Sequence, residues 1–121
     1  YKPMKTIKIS DYVSLNQAAT VDEGQKIYDL IIQYLQNKEE VELDFSDITV
    51  ITTAFLNIAI GCLYENYTSE ELNEYIKFSN LLPGKKERIA MVAENAKIFY
   101  SEKKNLFENN VDNAIYGGKN L

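Results

Sequence analysis

The chain has 121 residues, the size of one typical domain, and its hydrophobic fraction of 45% is sufficient for a folded core. Its formal net charge of −5 disfavours nucleic-acid binding, because phosphates repel an acidic surface. With no histidine and a single cysteine, the sequence excludes an internal disulfide, histidine-dependent catalytic triads and the usual zinc sites.

The N-terminal segment predicts a half-exposed strand that follows a short extension. Residues 5–10, KTIKIS, alternate lysine with isoleucine, which is the period-two pattern of a strand with one buried face. Residues 1–4 precede this pattern and are expected to lie outside the domain. Residues 11–19 have no clear period, so we expect a turn and a second short strand there.

A helix is predicted over residues 21–37. Apolar side chains recur at the spacing of one buried helical face, at Ile27, Leu30, Ile31, Tyr34 and Leu35. Thr20 precedes the pattern as a candidate N-cap, and Glu23 stands three residues later, as a capping box requires.

The middle of the chain predicts a strand that leads into an apolar helix. Residues 41–45 alternate Val, Leu and Phe with Glu and Asp, which indicates a strand. Residues 53–67 predict the second helix, whose first half is apolar almost all round. Such a helix is either covered on both sides or offers an apolar face to a partner.

The last third predicts one more strand and one more helix. Residues 75–79 alternate again, Pro83 and Gly84 break the chain, and a helix is predicted from Lys85 to about Lys104. Residues 69–74 are a polar connection or a further helical turn, and residues 105–121 are expected to form a tail. The order strand–helix–strand–helix–strand–helix indicates an α/β fold with an at least partly parallel sheet.

The usual signatures of catalysis and cofactor binding are missing from the sequence. No glycine-rich phosphate loop follows any predicted strand, so neither a nucleotide cofactor nor a metal is expected. Asp44 lies on the polar side of a predicted strand, where partial burial would require a hydrogen-bond partner. An enzyme that uses Asp44, Asp47 and a tyrosine is the least favoured alternative.

Thr52 and Thr53 stand where the second predicted helix begins. One threonine hydroxyl at an N-cap accepts a hydrogen bond from an unpaired backbone N–H, which contributes about 1 kcal/mol. The second hydroxyl is then left over, beside an already acidic surface. A phosphate on it would add roughly two negative charges and repel a docked partner. Capping alone and a switch at Thr53, with Thr52 as the second candidate, both stay open.

The same segment resembles the STAS domain of bacterial anti-sigma factor antagonists. It is closer still to the STAS-like domain family of unknown function. The resemblance lies in Leu43-Asp44-Phe45-Ser46, a spacer from Asp47 to Ile51, and then Thr52-Thr53-Ala54-Phe55. Gly24 in the upstream helix and residues 76–81, IKFSNL, extend it to about residues 5–100.

The resemblance implies one STAS-like α/β domain over residues 5–104, with a small mixed sheet, helices mainly on one face and no catalysis. In anti-sigma factor antagonists, a histidine-kinase-like ATPase phosphorylates the hydroxyl residue at the position of Thr53, and the modified domain releases that kinase. The chain is therefore expected to be a bacterial regulatory module that binds a partner protein. The expected partner-binding residues are Asp44, Ser46, Asp47, Phe55 and Asn57.

The sequence leaves two alternatives open and also indicates a cellular location. A small-ligand or nucleotide-binding α/β domain is the second hypothesis, since α/β sheets often bind ligands at strand ends. A homodimer through the apolar second helix also stays open. Residues 54–64 are too short to cross a bilayer and contain Asn57. The chain is therefore expected to be soluble and cytoplasmic, without a membrane partner.

Overall fold

Strands and helices alternate along the chain, as the sequence pattern predicts. The computed structural model describes the backbone of residues 4–115 and the side chains of residues 4–103. The elements of that part are β1 (Lys5–Lys8), β2 (Gln17–Ala18), α1 (Val21–Gln36), β3 (Val41–Asp44), β4 (Val50–Ile51), α2 (Thr53–Ala59), α3 (Ser69–Tyr75), β5 (Ile76–Ser79) and α4 (Lys85–Ile115). The α/β class is thus confirmed.

Three strands form a parallel sheet in the order β1–β3–β5. Leu43 of β3 lies opposite Ile7 of β1 and Phe78 of β5. Parallel neighbours need a long crossover connection, because the end of one strand and the start of the next lie at opposite edges of the sheet. α1 lies in the first connection, and α2 and α3 lie in the second.

The two shortest strands form a separate parallel pair. In this pair, Gln17 and Ala18 of β2 lie opposite Val50 and Ile51 of β4. The sequence pattern did not predict β4, because two residues are too few to show a period. The expected mixed sheet is therefore divided, in the described part of the chain, into two small parallel sheets.

The three-stranded sheet has one apolar face and one polar face. Ile7, Val41 and Leu43 are buried and belong to the same core cluster as Ile27 and Ile31 of α1. The residues between them in the strands are exposed or half-buried and polar: Thr6, Lys8, Glu42, Asp44, Lys77 and Ser79. Helices therefore cover the apolar face, which matches the expected arrangement.

α1 and α2 approach each other so closely that their backbones touch at Gly24. A Cβ atom on Gly24 would lie 2.8 Å from the carbonyl oxygen of Phe55 and 3.2 Å from the Cβ of Ile58. α1 begins with the predicted capping box, in which Thr20 and Glu23 bond each other's backbone N–H. The glycine therefore serves close packing inside a well-capped helix.

The second helix is shorter than the sequence predicts. α2 ends at Ala59, and a 3₁₀ segment follows from Gly61 to Glu65, so the prediction of one helix over residues 53–67 is wrong. Glycine is a poor helix former. At Gly61 the absent side chain faces α4, where an added Cβ would lie 3.7 Å from Val92 and from Ala96.

The third predicted helix is longer than expected. The backbone of α4 is helical to Ile115, past the predicted end near Lys104. Part of the tail predicted over residues 105–121 is thus helical, and residues 116–121 lie outside the described part, as do residues 1–3. The division into an extension, a domain over residues 5–104 and a tail stays a prediction.

Replacing Gly24 with alanine is expected to destabilise the protein. A helical Gly→Ala change usually stabilises by about 0.5–1 kcal/mol, but here the new methyl group overlaps the backbone of α2. We expect the free energy of unfolding to fall by about 1–3 kcal/mol, measured by urea denaturation. Gly61→Ala is the control, since its methyl group meets only ordinary contacts. A Gly24→Ala variant as stable as wild type would contradict the close packing.

Candidate functional site

The starts of α1 and α2 lie side by side. Each helix follows one strand of the β2–β4 pair, and these strands run parallel. The backbone N–H of Thr52 donates to the carbonyl oxygen of Ala18 at 2.9 Å, just past the end of the pair. Both helices therefore begin at the same edge of the small sheet.

The hydroxyl of Thr52 is fully used inside the protein. It accepts a hydrogen bond from the backbone N–H of Phe55 at 3.1 Å, as the N-cap of α2. It also donates to the carbonyl oxygen of Ala19 at 2.7 Å. Thr52 is half-buried, so its side chain joins the two helix starts and is poorly placed to react.

Thr53, in contrast, is exposed as the first residue of α2. None of the hydrogen bonds within the described residues uses its hydroxyl, since the capping position belongs to Thr52. Asn57, one helical turn later, is also exposed, and residues four apart share one face of a helix. Two polar side chains thus mark the outer face of α2.

Exposed apolar side chains and one cation belong to the elements that meet at this helix start. Val50 of β4 is 39% exposed, and Val21, the first residue of α1, is 51% exposed. Arg88 of α4 donates from Nη1 to the carbonyl oxygen of Ile51, which places a guanidinium at the β4–α2 junction. The surface therefore combines a free hydroxyl, two apolar side chains and one positive charge.

Asp44 is the centre of a second polar group, at the carboxyl end of β3. Its Oδ1 accepts a hydrogen bond from Asn80 Nδ2 at 2.8 Å and another from the backbone N–H of Ser46 at 2.9 Å. The Asn80 hydrogen bond, followed by that of Ser46, lowers the pKa of Asp44 below its usual value. The ionised carboxylate therefore ties the end of β3 to the end of β5.

The sequence-predicted partner-binding residues fall into different environments. Asp44 and Ser46 are half-buried, whereas Asp47 and Asn57 are exposed. Phe55 is 1% exposed and lies in the core. The expectation that Phe55 contacts a partner is corrected, because helical spacing from the N-cap turns its side chain away from the surface that carries Thr53. No hydrogen bond in the described residues joins the Asp44 group to the threonine pair.

Sequence reasoning missed a cavity at the carboxyl ends of β3 and β5. The cavity measures about 470 Å³ and is lined by Asn16, Phe45, Asp47, Ile48, Thr49, Asn80 and Leu82. Asn16, Asp47 and Asn80 have positive φ angles of 54°, 66° and 58°. Asn and Asp tolerate this conformation better than most residues, so Asp47 after β3, Asn80 after β5 and Asn16 just before β2 were the available signal.

Two further properties concern only the described residues. Their His, Cys, Asp and Glu side chains form no group of three or more that would hold a metal ion. Within the same part of the chain, none of the helices has both the length and the apolar content needed to cross a bilayer.

Comparison with known proteins identifies a family. The model of the STAS-like domain of unknown function (DUF4325) matches residues 23–85, which is more than half of the chain. The matched region runs from the first turn of α1 to the first residue of α4, so it contains both the threonine pair and the Asp44 group. No curated protein and no solved structure matches the chain significantly.

The two threonines are expected to differ in their effect on stability. Thr52→Ala removes the helix cap and the bond to Ala19, and should lower the free energy of unfolding by about 1–2 kcal/mol. Thr53→Ala should change it by less than about 0.5 kcal/mol, as exposed sites usually do. Urea denaturation measures both. Equal losses would show that the two hydroxyls share the cap.

The stability contributed by Asp44 should depend on pH. Because its folded-state pKa is lowered, this contribution is complete above the unfolded-state pKa of about 4 and is lost as pH falls through the lower folded-state value. The stability difference between wild type and Asp44→Asn should therefore shrink between pH 5 and pH 2, measured by urea denaturation. Asp47→Asn removes an exposed carboxylate 3.9 Å from Lys8 and should have the smaller effect. A constant wild-type–Asp44→Asn difference would contradict the assignment.

Proposed function

We propose that the chain is a regulatory module that binds a partner protein and does not catalyse a reaction. The premise of this proposal is that the chain belongs to the STAS-like domain family of unknown function. The observation that carries this proposal is that two adjacent threonine hydroxyls have different environments. The hydroxyl of Thr52 makes two hydrogen bonds within the fold, whereas Thr53 is exposed and does not cap the helix.

The partner docks on the surface around the start of α2. Thr53 and Asn57 supply polar contacts from one face of the helix, and Val21 and Val50 supply apolar area. Small apolar contacts of this kind add affinity when a partner covers them. The proposed surface is thus built from two helix starts that the Thr52–Ala19 hydrogen bond holds together.

Phosphorylation of Thr53 is the proposed regulatory step. It transfers a phosphoryl group from ATP to the exposed hydroxyl, with release of ADP and a proton. Roughly two negative charges are then added beside apolar side chains that the partner must desolvate, on a chain with a net charge of −5. The modified module releases its partner. By resemblance to anti-sigma factor antagonists, that partner is a histidine-kinase-like ATPase.

The Asp44 group supports a structural role for that carboxylate in this proposal. Its Oδ1 accepts two hydrogen bonds, from Asn80 and Ser46, that join the ends of two strands. A general base must instead lie within reach of a substrate proton. Asp44 therefore shapes the loops near the carboxyl edge of the sheet.

The cavity favours a second candidate function, the binding of a small polar ligand. Its volume of about 470 Å³ lies within the usual range for ligand sites, about 300–1,000 Å³. Asn16, Asp47, Thr49 and Asn80 line it with polar groups. The cavity is wide open, and an enclosed site would exclude water better, so partner binding remains the first proposal.

The switch is tested at Thr53, with Ser69 as a matched control. Ser69 is likewise the first residue of a helix and follows a threonine N-cap, Thr68, but it is half-buried and its first turn is polar. After incubation with ATP and a histidine-kinase-like ATPase of the same genome, intact-mass measurement should show one added phosphate. Thr53→Ala should abolish this gain, and Ser69→Ala should keep it.

Calorimetry with the same ATPase measures the effect on binding. Thr53→Glu should weaken the complex at least about tenfold, which corresponds to 1.4 kcal/mol, whereas Ser69→Glu should leave it unchanged. A phosphate that persists in Thr53→Ala, or full affinity of Thr53→Glu, would contradict the switch.

A further inference from the structure

The outer edge of β5 is unpaired in the described part of the chain. β5 is the last strand in the order β1–β3–β5. The backbone N–H of Phe45 donates to the carbonyl oxygen of Ser79 at 3.0 Å, so the backbone groups of Ser79 point toward β3. Because successive residues of a strand point their backbone groups to opposite sides, those of Phe78 point outward.

The opposite edge of the sheet is better protected. The backbone N–H of Lys5 donates to the carbonyl oxygen of Glu40 at 3.2 Å, so the backbone groups of Thr6 and Lys8 point outward at β1. Exposed Lys5 and Lys8 accompany that edge, and lysines on edge strands hinder pairing with another chain. At β5, Lys77 Nζ donates instead to the carbonyl oxygen of Asn73 at 2.6 Å, back along its own chain.

Exposed apolar side chains accompany the β5 edge and continue into the cavity. Phe78 is 36% exposed, with its ring centroid 6.3 Å from that of Phe45, and Leu82 is 50% exposed. Phe45 and Leu82 also line the cavity. A short strand edge with a cavity at its carboxyl end is the arrangement in which an added strand gains main-chain hydrogen bonds and one anchoring side chain.

Acidic residues outnumber basic ones in the segments that flank β5 and the cavity. Asp47 lines the cavity with a side chain that is 69% exposed, and its Oδ2 lies 3.9 Å from Lys8 Nζ. Glu70 and Glu74 of α3 are exposed just before β5. Within residues 41–80, Lys77 is the single basic residue beside seven acidic ones. An extended segment that carries lysine or arginine is therefore attracted, and an acidic one is repelled.

We propose that the outer edge of β5 receives an extended segment of a partner protein by strand addition. An apolar side chain of the segment enters the cavity against Phe45 and Leu82, and a basic side chain lies near Asp47. This surface is built from different residues than the one around Thr53. The strand-addition proposal therefore goes beyond the proposed switch at Thr53 and does not depend on it.

A second copy of the chain fits the edge less well than such a segment. The four residues of β5 form a strand only about 13 Å long. Pairing two such short strands buries little surface, whereas stable interfaces between proteins bury about 1,200–2,000 Å². Two copies would also each bring a net charge of −5. A basic segment meets an opposite charge, and its anchoring side chain adds buried area inside the cavity.

A random twelve-residue peptide library, displayed on phage and selected on the full chain, tests the proposal. We expect enriched peptides that combine alternating apolar residues with lysine or arginine, and we expect one synthesised example to shift the backbone amide NMR signals of Phe78, Asn80 and Leu82. Phe78→Pro removes the outward N–H and should lower the affinity for that peptide at least tenfold. Thr6→Pro, which removes the corresponding N–H of β1, and Thr53→Glu should each leave affinity within twofold.

The peptide itself provides the test that does not depend on folding of a variant. N-methylation of its alternate amides that face β5 should abolish binding, whereas methylation of the other set should not. The proposal is overturned if no peptide is enriched or if the enriched peptides are acidic. It is also overturned if the Phe78→Pro variant binds the peptide as tightly as wild type and both methylated peptides bind as tightly as the unmethylated one. Self-association of the chain in ultracentrifugation that Phe78→Pro abolishes would also overturn it, in favour of a second copy.

Discussion

The contact between α1 and α2 at Gly24 is the constraint on which the rest of the structure depends. A side chain at this position would meet the backbone of Phe55 at 2.8 Å, so only the smallest residue permits this helix separation. The close approach buries Phe55 and Leu56 with Ile27 and Ile31 in one core. It also brings the two helix starts together, where Thr52 bonds to Ala19.

That geometry explains why two neighbouring threonines have different roles. An N-cap requires one hydroxyl, and α2 takes it from Thr52. Packing of α2 on α1 turns Phe55 inward and leaves Thr53 and Asn57 outward. The same local chemistry recurs at α3, where Thr68 is the cap and Ser69 follows it. The proposed specificity for Thr53 therefore comes from its surroundings: Val50 in the preceding strand, Val21 at the adjacent start of α1, and Arg88, which donates to Ile51.

The three-stranded sheet has a different arrangement at its carboxyl edge. Asp44 and Asn80 hold β3 and β5 together there, and both Asp47 and Asn80 adopt positive φ angles. These turns carry the chain away from the sheet and leave a cavity between the strand ends. The outer edge of β5, which pairs with no strand among residues 4–115, lies next to this cavity. The two proposed surfaces would allow the domain to bind two partners, or one partner at two points.

Much of the fold was predictable, because the signals for it lie within a few residues. The capping box of Thr20 and Glu23, the alternation over residues 41–45 and the apolar stripe of α1 each encode a local element and its buried face. The order of elements then indicates a parallel α/β fold, and the family match confirms the STAS-like assignment. The segment with both threonines was likewise visible as a strand that leads into a helix.

Tertiary packing decided the features that join distant parts of the chain. The 3₁₀ segment that begins at Gly61 lies against α4, some thirty residues later in the chain. The bond between Asp44 and Asn80 joins residues 36 positions apart. The exposure of Thr53 and the burial of Phe55 follow from where α1 meets α2. The sequence by itself determined periodicity and capping, since these depend on neighbouring residues. Only the tertiary structure decided which hydroxyl is exposed and which strand edge is unpaired among the described residues.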